Sequence, residues 1–405
     1  MIVNIKPSIA NGVIKAPPSK SLQHRYLICA ALSDGESRIE NIAYSKDIEA
    51  SIECAEALGA VVQKGEDDVV INGIDTSLNL RNKKTVFNCN ESGSTMRFFM
   101  GVAMGLGLDA SFYGSDTLLN RPMGIYEDIC KDQGILFERN DDHIRISGRL
   151  RAGNFSVHGN ISSQFITGLL FSLPLLENDS VIKLIPPVES RSYIDLTLDA
   201  LCKYGITVEE ISENEFQIEG SSKYHAFDTE VEGDCSNAAF LDAFNLFGGN
   251  VEVLGLNKDS HQGDRVYKDL FKKLNESDPV IDISDCPDLG PILMGVGALK
   301  NGAVFTGTKR LKIKESDRGS VMCKELAKMG VNTLLEEDRI TVYGSSFHAP
   351  DVPIDSNNDH RIAMTFAVLL SVTGGSINDA AAVDKSFPGF FEDIKKLGID
   401  CDIKN

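Results

Sequence analysis

The sequence predicts an α/β protein of two domains, each holding three copies of one strand–helix unit. Three observations lead there. First, six times a short apolar strand runs into a polar or charged turn and then a helix that is apolar nearly all round. These turn-plus-helix stretches recur roughly every 50–75 residues, the mark of an array of one supersecondary unit. Second, an amphipathic helix follows each buried one, and five of these six end in Gly before a β-branched or apolar run, the usual helix stop. Third, 405 residues suffice for two cores.

In chain order the buried stretches are 17–32, 90–104, 160–173, 232–244, 285–299 and 357–370, and the amphipathic ones 48–60, 125–135, 193–206, 266–274, 319–331 and 391–399. The unit reads as strand, turn, buried helix, strands, surface helix, strand. A helix apolar on every face must be buried, and its N-terminal N–H groups then form a ready anion site. Several of these starts lie beside Lys20, Arg25, Arg97 and Arg361. The expected division is 18–232 for one domain, and 1–17 with 233–405 for the other. The crossovers fall at Pro17–Pro18 and near Val231–Gly233.

Lys plus Arg number 40 and Asp plus Glu 59, for a net charge of −19. That disfavours nucleic acid and acidic membrane surfaces as partners. An anionic substrate must be drawn in by local positive charge. Nine scattered Cys without a C-x-x-C pair read as a reduced, cytoplasmic set of buried thiols, with Cys89, Cys235 and Cys286 nearest the turns. No signal peptide or membrane-length apolar run is recognised. The seven His show no ligand spacing, so no metal is expected.

In the first half, Ser19 or Ser21 can cap a helix, with Lys20 and Arg25 adding charge at its start. Gly93, within Glu91-Ser-Gly-Ser-Thr-Met-Arg97, lets a backbone approach a ligand closely. Arg121 is held extended before Pro122, as a ligand group or an incidental loop charge. Ser162, Ser163 and Gln164 are neutral hydrogen-bonding groups suited to a polyhydroxylated ligand; Ser190 and Tyr193 add more of the same. In the second half, Asp288 precedes a buried helix as N-cap or general base. Arg310, Lys312 and Lys314 are expected on one face of a strand. Glu315, beside Lys314 and Arg318, is a candidate proton donor. Arg361 opens the last buried helix, and Lys385 stands at an aromatic, Pro-containing turn. The two sets are expected to face one another across a closing cleft.

These motifs, Lys-Ser-x-x-x-Arg, Gly-Ser-Thr-Met-Arg, Leu-x-x-Arg-Pro-Met, Ser-Ser-Gln, Glu-Gly-Asp-x-Ser, Gln-Gly-Asp, Lys-Glu-Ser-Asp-Arg, Asn-Asp-His-Arg and Lys-Ser-Phe-Pro, run in the order found in the 5-enolpyruvylshikimate-3-phosphate (EPSP) synthase family. The chain resembles that family over essentially its whole length. The resemblance implies two inverse α/β domains of βαβαββ-type units, the enolpyruvyl transferase fold. It implies transfer of the enolpyruvyl group of phosphoenolpyruvate to the 5-hydroxyl of shikimate 3-phosphate in the shikimate pathway, by a monomer without cofactor. It places Lys20, Ser21, Arg25, Ser162, Ser163, Gln164, Ser190, Tyr193, Asp288 and Lys314 around shikimate 3-phosphate. Lys20, Gly93, Arg121, Gln164, Arg318, Arg361 and Lys385 then grip phosphoenolpyruvate. Asp288, Glu315 and Lys20 are the catalytic groups. Glu91, Ser94 and Arg310 stand where Asn, Thr and Asn are common in the family. Gly93 leaves room for the competitor glyphosate. A sibling enzyme acting on UDP-N-acetylglucosamine resembles the chain less, because its reactive loop carries a Cys that 114–123 lacks.

Overall fold

The computed structural model describes residues 1–76, 80–344 and 347–404. The chain divides into two compact units, one of Met1–Pro17 with Glu232–Asn405, the other of Pro18–Val231. Each unit has its own apolar core. The helices of those cores are α1 (Lys20–Leu32), α2 (Gly93–Leu106) and α3 (Ser163–Ser172) in the Pro18–Val231 unit. In the other unit they are α4 (Cys235–Ala243), α5 (Gly290–Leu299) and α6 (His360–Thr373). All six lie in the stretches whose apolar residues go all the way round, and nearly every residue in them is buried.

The sheets surround these helices with a repeated order. Lys84–Asn88 pairs in parallel with Asp109–Tyr113, the two joined through α2. Asp109–Tyr113 then pairs antiparallel with His143–Ser147, which pairs antiparallel with Leu136–Arg139. Four other sheets repeat this parallel pair plus antiparallel hairpin. In the sheet built on Ile2–Ile5 the hairpin is made by the two ends of the chain, since Cys401–Lys404 pairs with that first strand. Burial alternates along the strands, as in Lys84–Asn88 with Thr85 and Phe87 inward, so each sheet lays one face on its helices.

The sixth sheet differs from the expected unit. Asn11–Lys15 pairs in parallel with Asn250–Leu254, and among the described residues no hairpin completes it. The surface helix Tyr267–Lys273 runs almost directly into the strand Val280–Asp282. A connection that short has no room for two strands. Its outer edge carries Glu252, exposed in mid-strand, a charge of the kind that blunts open edges.

Backbone contact between α2 and α3 locks the Pro18–Val231 unit. A Cβ on Gly101 would sit 2.3 Å from the Gly168 carbonyl oxygen, and one on Gly168 would meet the Tyr126 hydroxyl at 2.0 Å. That hydroxyl donates to the Arg97 carbonyl at 2.8 Å. Gly101→Ala is therefore expected to destabilise the protein by about 1–3 kcal/mol through overpacking, read as a lower urea midpoint. Gly124→Ala, where a Cβ meets nothing within 4 Å, serves as control. Equal midpoints for the two would show that the helices separate freely.

Candidate active site

In the Pro18–Val231 unit the site residues gather at the starts of α1, α2 and α3. Ser19 holds the N-cap position of α1, but its side chain makes no capping bond. Its carbonyl closes the first turn instead, accepting from the Leu22 and Gln23 amides. Lys20 opens the helix with its ammonium 2.9 Å from Asp47 Oδ2. Asp47 lies in the first turn of the surface helix Lys46–Leu58, where an acid also suits the helix dipole.

Arg25 is buried one turn further. Its Nε donates to Thr197 Oγ1 at 2.9 Å, Nη1 to the Ser21 carbonyl at 2.7 Å and Nη2 to the Tyr193 carbonyl at 2.8 Å. Each of these partners is uncharged. Burial pushes the guanidinium down to about 10, with smaller upward pulls from Tyr193, Cys29 and Tyr26. A buried cation met by dipoles is electrostatically prepared for an anion. Ser21 and Tyr193 thus meet Arg25 through their backbone carbonyls.

Gly93, Arg121 and Gln164 come together. A Cβ on Gly93 would lie 2.6 Å from Arg121 Nη1 and 3.7 Å from Gln164 Oε1, so Gly at that position is what admits the guanidinium. Gln164 donates to Ser94 Oγ at 2.9 Å and accepts from Arg97 Nη1 at 2.6 Å. Arg97 also donates to the Pro122 carbonyl at 3.1 Å and lies 4.9 Å over the Phe165 ring, which ties the Arg121–Pro122 loop to α2 and α3. Ser162 caps α3, its Oγ accepting from the Gln164 amide, and Ser163 follows as the first helical residue. Ser190 is buried in the left-handed region, at φ 55°, at the cap of the helix Arg191–Lys203.

In the other unit the site is an ion cluster. Arg318, 1% exposed, donates Nη1 to Asp288 at 2.7 Å, Nη2 to Glu315 at 2.5 Å and Nε to Asp359 at 2.8 Å. Asp288 Oδ1 also receives Lys314 Nζ at 3.1 Å, and its Oδ2 receives Arg361 Nη2 at 3.1 Å. Burial pushes the Asp288 carboxyl up, but Arg361, Lys314 and Arg318 outweigh it and hold the carboxyl well below the usual range. Burial also lowers the Lys314 ammonium against the pull of Asp288, with Arg318 and Arg310 adding to the fall. Asp359 caps α6 by accepting from the Arg361 amide, and Lys385 Nζ donates to the Asn358 carbonyl at 2.6 Å.

Two expectations are corrected here. Residues Lys309–Ile313 form a 3-10 helix, not a strand. Arg310 and Leu311 turn inward while Lys312 points to solvent, so the three cations share no face. Leu311 packs beside Gly290 at the start of α5, and that apolar contact decides the local path. Asp288 lies in a 3-10 turn, Pro287–Leu289, and its carboxylate is held by cations. The sequence reading passed over Asp47, Asp359, Thr197 and Thr167, whose hydroxyl lies 2.9 Å from that of Thr197 and 3.5 Å from Arg25 Nη2. The first two stand at helix starts, where an acid was a visible signal; nothing local marks the two Thr. Cys89, Cys235 and Cys286 are buried, and burial pushes the Cys235 and Cys286 thiols far up.

A sequence profile of the EPSP synthase (3-phosphoshikimate 1-carboxyvinyltransferase) family matches residues 5–394. The chain belongs to the EPSP synthase family. A 3-phosphoshikimate 1-carboxyvinyltransferase of Clostridium kluyveri is 39% identical over 421 aligned positions, covering 99% of this chain and 98% of the relative. The one of Clostridium acetobutylicum is 40% identical over 418, covering 98% and 97%. The solved EPSP synthase of Acinetobacter baumannii superposes with a TM-score of 0.80 over the whole of both chains at 21% identity, a likeness of fold.

Asp359, 0% exposed, is the main resting counter-ion of the Arg318 Nε edge. Asp359→Ala strips both that charge and the α6 cap, and is expected to cost about 3–5 kcal/mol of stability. Asp359→Asn, which keeps a capping oxygen, should cost less. Urea unfolding of the three proteins checks this, and coincident curves would show that the pair contributes nothing.

Proposed function

We propose that this chain transfers the enolpyruvyl group of phosphoenolpyruvate to the 5-hydroxyl of shikimate 3-phosphate and releases inorganic phosphate. Family membership supports the reaction. The observation that carries the residue roles is the single carboxylate of Asp288 shared by Lys314, Arg318 and Arg361. Three cations converge on this one acid, with Glu315 and Asp359 also on Arg318, so the cluster is balanced at rest and its cations can be taken over by a substrate with several negative charges.

The proposed chemistry follows from that arrangement. Lys20, Gly93, Arg121, Gln164, Arg318, Arg361 and Lys385 hold phosphoenolpyruvate. Lys20, Ser21, Arg25, Ser162, Ser163, Gln164, Ser190, Tyr193, Asp288 and Lys314 hold shikimate 3-phosphate. When the carboxylate and phosphate of phosphoenolpyruvate draw the cations away, Asp288 loses what stabilises its charge. Its proton affinity rises, as a general base needs. Asp288 takes the 5-hydroxyl proton, the oxygen attacks C2, and Glu315 gives a proton to C3. The tetrahedral adduct then loses phosphate, which takes up the proton held by Asp288, as C3 returns its proton to Glu315. Lys20 and the guanidinium groups steady the leaving phosphate. We further propose a cytoplasmic monomer; nine free thiols and a complete core in each unit support that reading.

Phosphate release in the presence of both substrates tests the reaction. Glu315→Gln is expected to lose roughly 10²–10⁴-fold in kcat, and Lys20→Ala to lose activity as well. Release with UDP-N-acetylglucosamine instead of shikimate 3-phosphate would move the chain to the sibling reaction. Gly93→Ala should raise KM for phosphoenolpyruvate through displacement of Arg121 while leaving the unfolding midpoint in place. An unchanged KM would remove Arg121 from that site.

A further inference from the structure

One buried acid near the ion cluster has no part in the chemistry above. Asp264 lies in the short 3-10 segment Gly263–Val266, within the Gln-Gly-Asp motif, and is 4% exposed. The Ser236 hydroxyl, from the first turn of α4, donates to its Oδ2. Its Oδ1 is buried and makes no hydrogen bond. Arg361, also 4% exposed, shows the complementary pattern: Nη2 is bonded to Asp288, while Nε and Nη1 are buried without acceptors. Both residues pack against α4, Asp264 through the Ser236 hydroxyl and Arg361 over the Phe240 ring at 6.0 Å, so a buried carboxylate oxygen and two buried guanidinium donors without protein partners lie against one helix, each acting on the other electrostatically. Such groups are rare in folded proteins and costly.

We propose that Asp264 is a positioning residue for Arg361, and that its charge state sets how freely Arg361 can bind the phosphoenolpyruvate anion. This rests on the reaction proposed above.

The electrostatic surroundings give the direction. Burial pushes the Asp264 carboxyl up to about 7; Asp288 and Asp234 push the same way, while Arg361 and the Ser236 hydroxyl oppose them. The neighbouring Cys235 and Cys286 thiols are neutral, raised by burial, and Glu232 and Arg265 act on Cys235 with opposite signs. Asp264 and Asp288 are thus two nearby carboxyls whose surroundings drive their proton affinities apart, a pattern that divides labour between a neutral and an ionised acid. When neutral, Asp264 leaves the Arg361 donors to the incoming anion. Once ionised, it competes for those donors and repels the substrate. The affinity for phosphoenolpyruvate therefore falls as pH rises through about 7, with turnover at saturation less affected, because Asp264 touches no reacting atom.

The linkage sign is opposite to that of Asp288. A carboxyl whose proton affinity is raised on folding favours the folded state below its unfolded range, near pH 4, and opposes it increasingly as pH rises through its folded value. Asp264→Asn removes this titration and keeps an oxygen for the Ser236 hydroxyl.

The test compares Asp264→Asn with the full-length wild type between about pH 6 and pH 8, where one unit of pKa shift corresponds to about tenfold. The ratio of wild-type to variant KM for phosphoenolpyruvate should rise about tenfold over that range, while the ratio of kcat values changes by less than about threefold. Using the ratio removes the titration of phosphoenolpyruvate itself. The variant should also gain stability on the wild type in urea as pH rises from about 4 to 8. If Asp264→Asn does not fold, Ser236→Ala serves: it removes a bond that favours the charged form, so the inflection in KM should move to higher pH. A KM ratio that stays flat, or a loss confined to kcat, overturns the role of Asp264 while leaving the reaction in place. A wild type that releases no phosphate with either sugar substrate overturns the reaction, and this role with it.

Discussion

Six helices with no polar face must be sealed inside protein on every side, and this constraint governs the rest of the molecule. Their first-turn N–H groups cannot turn to water along the helix flank, so each start needs a polar partner. Ser92, Ser162, Asp234 and Asp359 each accept a first-turn amide. Ser19 does the same for α1 with its backbone. Polar residues thus collect at five of the six helix starts, and most of the candidate site residues stand near them, while α5 begins at Leu289 without a side-chain cap. The sheets, laid outside the helices, are left with packing.

An acidic chain holding anionic substrates must store positive charge without falling apart when empty. The structure does this by giving the cations local carboxylates: Lys20 rests on Asp47, Arg361 on Asp288, and Arg318 on Asp288, Glu315 and Asp359. Under the proposed roles, substrate binding exchanges one counter-ion for another, a smaller electrostatic change than filling a bare cationic hole. Arg25 differs, being held by uncharged oxygens, and Lys385 likewise donates to the Asn358 carbonyl. In the proposed reaction the same exchange would couple binding to catalysis, because Asp288, the acid released by the cations, is the one proposed to take the proton.

Much of this was legible before any coordinates. The buried helices, their Gly stops and the side chains at their starts follow from periodicity and residue type. Two local readings failed for tertiary reasons. The segment around Arg310 alternates charge and apolar residues as a strand would, yet Leu311 is drawn under α5 and the backbone coils into a 3-10 helix. The fourth repeat was read as whole, although only a short stretch separates the helix Tyr267–Lys273 from the next strand. That shortness was visible in the residue count and was masked by the regularity of the other repeats.

The sequence by itself determined which segments are buried, where each helix begins and ends, and which charged residues stand at those beginnings. These are properties of residues a few positions apart, and the 3.6 and 2.0 periodicities report them directly. Tertiary structure alone decided the partners. Lys20 meets an acid 27 residues away, Arg361 one 73 residues away, and Arg25 a hydroxyl 172 residues away. No local pattern encodes such pairings, because they depend on how one helix start is packed against another. The proton affinities of Asp288 and Asp264 depend on them too: each carboxyl is identical in sequence, and its charge state is set by what the packing brings beside it.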